Sequence, residues 1–120
     1  MSIQNLQEVL DRRLRRDLLH TINVAKTATA DGRISGTALH DLHGPGSPPV
    51  RQTDDEAHTL RLLTELGDLG LVEVVDRRVY REEAYGLGVT LWRVTAAGAD
   101  LLAERTPPLP AVFDKRRPGP

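Results

Sequence analysis

The side chains that could do chemistry in this sequence are clustered carboxylates, closely spaced histidines and runs of arginine, because no cysteine is present. The lack of cysteine excludes a thiol enzyme, a cysteine-ligated zinc finger and an iron–sulfur cluster. His40 and His43 stand three residues apart and could share a metal ion, but no third ligand follows at an established spacing. The carboxylates of Asp54, Asp55 and Glu56 stand where a helix is expected to begin, which favours capping over metal or acid–base chemistry.

Catalytic motifs are missing from the sequence. We find no Gly-x-Ser-x-Gly nucleophile elbow, no phosphate-binding Gly-x-x-x-x-Gly-Lys loop and no His-Glu-x-x-His zinc motif. The sequence therefore predicts a protein that is not an enzyme and that holds no cofactor or metal.

Two groups of arginines are candidates for phosphate contacts, since a guanidinium binds phosphate oxygens well. The first group is interleaved with carboxylates, which favours a solvated helix face. Its members are Arg12, Arg13, Arg15 and Arg16, with Glu8, Asp11 and Asp17 among them. The second group, Arg77, Arg78 and Arg81, follows a predicted strand and could reach phosphates or a minor groove. Glu82 and Glu83 follow at once and weaken its positive field.

The composition predicts one small domain with an aliphatic core. Apolar residues make up 39%, charged residues 28% and aromatic residues 3% of the 120 residues, and the net charge is −1. That charge excludes a strongly basic coat for nucleic acid. No basic N-terminal region precedes an apolar run, and no window approaches the roughly 18 apolar residues of a membrane span, so we expect a cytoplasmic protein without a membrane partner.

The spacing of apolar residues and the capping signals predict three helices in the first part of the chain. A long helix is predicted over 3–27. A short helix follows from an N-cap at Ser35 to a stop at Gly44. A third helix opens with a capping box over 53–56 and ends at Gly70.

The remainder of the sequence predicts a β-hairpin, a final helix and a tail. A strand is predicted over 71–75, which is short and rich in β-branched residues, and a returning strand over 88–94, where apolar and polar residues alternate. Thr95 is expected to cap a last helix that ends at Glu104. We assign one domain to residues 1–105 and a flexible, Pro-rich, basic arm to residues 106–120.

The first helix is longer than a small domain needs. Its apolar residues recur every three or four positions and are expected to share one face, with Arg12, Arg15 and Arg16 on the other. They are Ile3, Leu6, Leu10, Leu14, Leu18, Ile22 and Ala25. The helix would extend for about 37 Å at about 1.5 Å per residue. We therefore expect its first turns, with Ile3, Leu6 and Leu10, to form a homodimer interface.

The order helix, helix, helix, strand, charged hairpin, strand, helix resembles a winged helix-turn-helix domain. Leu62–Val72 is similar to the junction of that fold in which a helix ends at glycine before a Leu-Val strand. Trp92–Leu102 is similar to its last strand, followed by threonine, two residues and glycine at the closing helix. The resemblance covers residues 16–104 and is greatest to short winged-helix proteins of phages and prophages. It implies a mainly α fold with three helices, a two- or three-stranded wing and a closing helix.

The resemblance also implies that the third helix enters a major groove while the wing contacts the backbone. When the third helix is projected at about 100° per residue, one set of its residues faces the core. This inward set is Ala57, Leu60, Leu63 and Gly67. The outward set is Asp54, His58, Arg61, Glu65 and Asp68. The candidate DNA contacts are Arg77, Arg78 and Arg81 on the backbone, with Arg51, Thr53, His58 and Arg61 at the start of the third helix.

These observations predict a small winged-helix DNA-binding protein, a dimeric transcriptional regulator that contacts duplex DNA with its Arg-rich wing. The alternative is a winged-helix module for protein assembly that binds no DNA. The acidic outward face of the third helix and its wide arc of leucines favour that alternative. Residues 51–105 contain 7 basic and 11 acidic residues, so the half expected to contact DNA is the acidic half.

Overall fold

The structure is a computed structural model that describes residues 3–45, 52–77 and 90–114. These ranges fold into four helices and a small antiparallel sheet of three strands. In chain order the elements are α1 (Ile3–Ala28), β1 (Ile34–Ser35), α2 (Gly36–His43), α3 (Glu56–Asp68), β2 (Val72–Arg77), β3 (Thr90–Val94) and α4 (Ala96–Leu102). Among the described helices, none combines the length and apolarity that crossing a membrane requires.

The sheet has the strand order β1-β3-β2, so its middle strand is the last of the three in the chain. Trp92 of β3 lies opposite Ile34 of β1 on one side and Val74 of β2 on the other. One extra residue in β2, Val75, shifts the register between Val74 and Asp76 and forms a β-bulge. The two predicted strands are thus present, the first over 72–77 and the second over 90–94, while residues 88 and 89 of the predicted second strand lie outside the described residues. The two-residue β1 was not predicted.

The core lies between α1, α2, α3 and the sheet, and aliphatic side chains fill most of it. This confirms the expected aliphatic core, to which Trp92 adds one aromatic ring. The buried cluster consists of Leu14, Leu18, Leu19, Ile22, Leu39, Leu62, Leu63, Leu66, Leu71, Val72, Trp92, Val94, Leu101 and Val112.

The apolar residues of α1 do not share one face, which corrects the sequence prediction. Leu14, Leu18 and Ile22 are buried, whereas Leu6 and Leu10 are exposed. A step of four residues rotates by about 400°, so a row of such steps drifts by about 40° each time and leaves the core side. Arg15 was expected in solvent, but it is buried on the core side of α1.

The N-caps of α2 and α4 are the predicted ones. The Ser35 hydroxyl accepts a hydrogen bond from the Ala38 amide at 3.1 Å, and the Thr95 hydroxyl accepts one from the Gly98 amide at 3.1 Å. Each bond satisfies a donor that the first helical turn leaves without an intrahelical partner. Gly44 ends α2 as expected.

The capping box predicted over 53–56 is wrong, because α3 begins later. Its N-cap is Asp55, whose carboxylate accepts the His58 amide at 2.8 Å. The Thr53 hydroxyl is buried and lies 2.7 Å from that of Thr59. It also donates to the His43 carbonyl at 3.3 Å, so Thr53 ties the chain before α3 to the end of α2.

The junction between α3 and β2 is a Schellman turn. Gly70 has a φ of +76°, a conformation in which a side chain is strained. Its amide donates to the Gly67 carbonyl, and the Leu71 amide donates to the Leu66 carbonyl. The predicted helix stop at Gly70 is therefore confirmed, and the turn directs the chain into β2.

Residues 106–114 pack against α1 instead of forming part of a flexible arm, which corrects the predicted boundary at residue 105. Val112 is 2% exposed and belongs to the core, and Leu109 packs against that core. The Phe113 amide donates to the Arg12 carbonyl at 3.1 Å. Proline-rich composition suggested a solvated arm, but burial of two apolar side chains holds the segment in place. Residues 115–120 lie outside the described residues.

Candidate functional site

A polar cluster at the contact between α1 and α3 contains two of the predicted DNA-contact residues. Asp11 of α1 is buried there, and both of its carboxylate oxygens are bonded by α3 side chains. His58 Nε2 lies 2.9 Å from Asp11 Oδ1, and Arg61 Nη2 donates to Asp11 Oδ2 at 2.9 Å. We call Asp11, Arg15, His58, Arg61 and Glu65 the α1–α3 polar cluster.

The hydrogen bonds of His58 assign its tautomer. Its Nδ1 accepts the backbone amide of Asp54 at 2.9 Å, so the proton of the neutral ring is on Nε2 and is donated to Asp11. Both ring nitrogens are therefore engaged within the protein. A histidine held in this way positions helices and has no free nitrogen for proton transfer to a ligand.

Arg15 joins the other end of the cluster to residues 106–114, which we call the C-terminal segment. Its guanidinium donates to Glu8 at 3.0 Å, to Glu65 at 3.3 Å and to the Ala111 carbonyl at 2.8 Å. Glu65 also accepts Arg61 at 3.2 Å, so charged groups alternate in sign across the helix contact. This alternation compensates the desolvation of the buried charges.

The ionisation of these groups follows from their partners. Burial by itself would raise the pKa of Asp11, but the hydrogen bonds from Arg61 and His58 outweigh it and the pKa is lowered. Burial would lower the pKa of Arg15, but Glu8 and Glu65 outweigh it and the pKa is raised. The hydrogen bond to Asp11 raises the pKa of Arg61 in the same way. These shifts keep Asp11 as a carboxylate and Arg15 and Arg61 as guanidinium ions at neutral pH.

Sequence reasoning missed the burial of Asp11 and Arg15, although a signal was present. These two residues continue the spacing of the buried Leu18 and Ile22 toward the N-terminus, at steps of four, three and four. Polar residues that share the helical spacing of buried apolar residues indicate a buried polar contact when a neighbouring helix carries the opposite charge. Only the packing of α3 reveals that partner.

The predicted DNA contacts therefore fall into separate groups. Thr53 and His58 are buried, so they are not part of a surface that DNA could contact. The side chain of Arg61 is 49% exposed but is held by Asp11 and Glu65. Arg51, Arg78 and Arg81 lie outside the described residues, and Arg77 closes β2 with a side chain that is not among the described ones.

The buried face of α3 differs from the face that the helical projection predicted. The buried face is Thr59, Leu62, Leu63 and Leu66, whereas Ala57 and Thr64 are exposed. The exposed N-terminal end of α3 carries three carboxylates, those of Asp54, the N-cap Asp55 and Glu56 in the first turn. Phosphate oxygens would meet carboxylates at this end of α3, which disfavours its insertion into a groove.

A surface cavity of about 250 Å³ lies beside the polar cluster. It is lined by Glu8, Arg15, Glu65, Asp68, Leu69 and Ala111. Three carboxylates against one guanidinium make it an unfavourable place for a phosphate.

His40 and His43, the spaced pair in α2, each have a hydroxyl partner. His40 Nδ1 lies 2.9 Å from the Thr59 hydroxyl, and His43 Nε2 lies 2.8 Å from that of Thr21. Burial lowers the pKa of His43, with partial opposition from the charge of Asp17. Within the described ranges no three potential ligands converge as a metal ion would require.

Comparison of the chain with family models, with curated proteins and with solved structures gave no match.

Proposed function

We propose that this protein is a winged-helix DNA-binding protein whose wing, and not its third helix, contacts the duplex. The wing is defined here as residues 77–90, from the end of β2 to the start of β3. The observation that carries the proposal is the order of elements together with the strand order β1-β3-β2. This arrangement of three helices, a three-stranded sheet and a closing helix is the one expected of a winged helix.

The pairing of β2 with β3 supports a role for the wing. Arg77 is the partner of Thr90 at the end of the paired strands, and the connection between them contains Arg78 and Arg81. Three arginines thus belong to one β-hairpin connection, a place from which winged helices contact backbone phosphates.

The α1–α3 polar cluster supports the exclusion of α3 from base reading. Arg61 and His58 bind Asp11, and the first turn of α3 is acidic. A protein with few phosphate contacts and a net charge of −1 should bind DNA weakly, and its affinity should fall with salt in proportion to the number of phosphates contacted. Regulation of transcription through such a contact would require two copies or a further partner to raise affinity.

The proposal is tested by a fluorescence-anisotropy titration with a random-sequence duplex at low and at physiological salt. Replacing Arg77, Arg78 and Arg81 by alanine should abolish binding at physiological salt. The slope of log affinity against log salt should fall by about 2.7, because each lost phosphate contact removes about 0.9. A matched triple variant with Lys26, Arg33 and Arg105 changed to alanine removes the same charge and should keep the slope.

Two results would contradict the proposal. One is the absence of binding at low salt. The other is an equal loss of affinity in the two triple variants, which would mean that the wing has no special part. In a further variant, Arg61→Ala should keep DNA affinity, because Arg61 serves the contact with α1.

A second candidate function, protein assembly without DNA, is favoured by the acidic first turn of α3 and by the exposed leucines of α1. The same titration separates the two functions, since an assembly module would not bind the duplex at any salt concentration. Copurification of a stable partner with the full chain would then support assembly.

A further inference from the structure

On the side of α1 opposite the core, six side chains form a regularly spaced row that we call the α1 stripe. Its positions alternate in steps of four and three: Leu6, Leu10, Arg13, Asp17, His20 and Val24. This is the spacing of the contact seam of a two-helix coiled coil. Leu6, Leu10 and Val24 are 51%, 42% and 47% exposed, whereas Leu18 and Ile22 on the opposite side are buried.

We infer that the α1 stripe pairs antiparallel with the same stripe of a second copy of this chain. The two-fold axis passes midway between Arg13 and Asp17. This inference goes beyond the proposed function and does not depend on DNA binding.

The charges on the stripe select the second copy as partner and the antiparallel direction. With the axis in that position, Arg13 lies opposite Asp17 of the second copy, and symmetry repeats the pair. Leu6 then lies opposite Val24 of the second copy, and Leu10 lies opposite its His20. A parallel pair would place Arg13 on Arg13 and Asp17 on Asp17, which is repulsive.

The stripe extends far enough to form a specific contact. Leu6 and Val24 are separated by five helical turns, so they have the same angular position, and the contact between them spans about 27 Å at about 1.5 Å per residue. Three exposed apolar residues in one row differ from the scattered exposed apolar residues of an ordinary surface.

Arg13 and Asp17 each have capacity for the central pair in addition to a contact within the chain. The Arg13 guanidinium stacks on the Phe113 ring with its central carbon 4.7 Å from the ring centroid, which leaves its N–H edge for a carboxylate. Asp17 already has an interaction within the chain. A carboxylate has about four lone-pair sites, so Asp17 can accept a second donor.

The first experiment measures the mass of the protein in solution and the relative direction of the two α1 helices in the dimer. Sedimentation equilibrium of the full chain should show a mass that rises with concentration from 13.2 kDa to twice that value. Because the sequence has no cysteine, Leu6→Cys and Val24→Cys can be introduced without interference. An oxidised mixture of the two variants should form a disulfide-linked dimer, whereas each variant alone should remain uncrosslinked. Leu42→Cys, at an exposed leucine of α2, replaces Val24→Cys in the control mixture, which should give no product.

The second experiment tests the charge pairs. Arg13→Asp alone and Asp17→Arg alone should each weaken dimerisation by more than about tenfold, because like charges then meet twice. Mixing the two variants should restore it, which also shows that each variant is folded. A monomer at all concentrations, a crosslink in Leu6→Cys alone, or a failure of the mixture to restore the dimer would overturn the inference.

Discussion

The buried carboxylate of Asp11 determines the role of two residues of the candidate site. It binds His58 and Arg61, which the sequence alone assigned to a DNA surface. A charge buried at a helix contact needs partners, and α3 supplies one cation and one N–H donor. His58 and Arg61, which were expected to contact DNA, therefore join α3 to α1.

The Asp11→Asn variant should lower the free energy of unfolding by about 2 kcal/mol at pH 7, because the charge-assisted bonds from His58 and Arg61 are weakened. The pKa of Asp11 is lowered in the folded protein from an ordinary value of 3.8. Its stabilising contribution is therefore fully present above pH 3.8 and is lost as the pH falls through the folded pKa. Urea denaturation at a series of pH values should show the difference between wild type and variant shrinking toward acid.

Asp68→Asn provides the control for this measurement. Asp68 is exposed at the end of α3, so its variant should change stability by less than about 0.5 kcal/mol. An Asp11→Asn variant as stable as this control at pH 7 would contradict the structural role of the cluster.

At the scale of elements, the contact between α4 and the end of α3 depends on a glycine. A Cβ atom on Gly98 would overlap the Leu71 carbonyl and the Val94 side chain. The Thr95 hydroxyl meanwhile donates to the Gly70 carbonyl at 2.6 Å and caps α4. The glycine in the run that resembles winged helices is thus required for the close approach of α4 to the α3–β2 turn.

Gly98→Ala should destabilise the protein by roughly 2 kcal/mol, because overpacking displaces the backbone of Leu71. Gly67→Ala is the matched change in α3, where a Cβ would meet only ordinary contacts with Trp92 and Val72. That variant should gain up to about 1 kcal/mol from helix propensity. Thermal unfolding of the two variants should therefore move in opposite directions, and a shift of equal sign would contradict this packing.

The elements that sequence predicted well are those whose signals are local. The capping bonds of Ser35, Thr95 and Gly70 are made with residues within one turn, so their types alone indicate a helix start or stop. The two-residue β1 exists only because β3 pairs with it, and no local pattern marks it. Arg15 is buried because Glu65 and Ala111 approach it from distant parts of the chain, which a single-helix projection does not show.

At the scale of the whole molecule, the two ends of the described chain are joined. The C-terminal segment crosses α1, where Arg15 donates to Ala111 and Phe113 donates to the Arg12 carbonyl. Val112 fills a place in the core formed by the helices. This segment therefore completes the domain.

Removal of residues 106–120 should lower the free energy of unfolding by about 3 kcal/mol, because the core loses Val112 and the apolar surface of Leu109. Removal of residues 115–120 alone keeps Val112 and Leu109, so it should lower the free energy of unfolding by less than the longer truncation does. Denaturation of both truncated chains checks the prediction. Equal stability of the longer truncation and the full chain would mean that the C-terminal segment adds nothing to the core.

The position of Trp92 gives the protein a built-in optical reporter. It is the single tryptophan of the sequence, and it lies buried in the middle strand with its indole N–H donated to Thr90 at 2.8 Å. Its intrinsic emission comes from one environment and will shift to longer wavelength when water reaches the sheet. Loss of the core and loss of a surface contact can therefore be told apart in any variant without attaching a label.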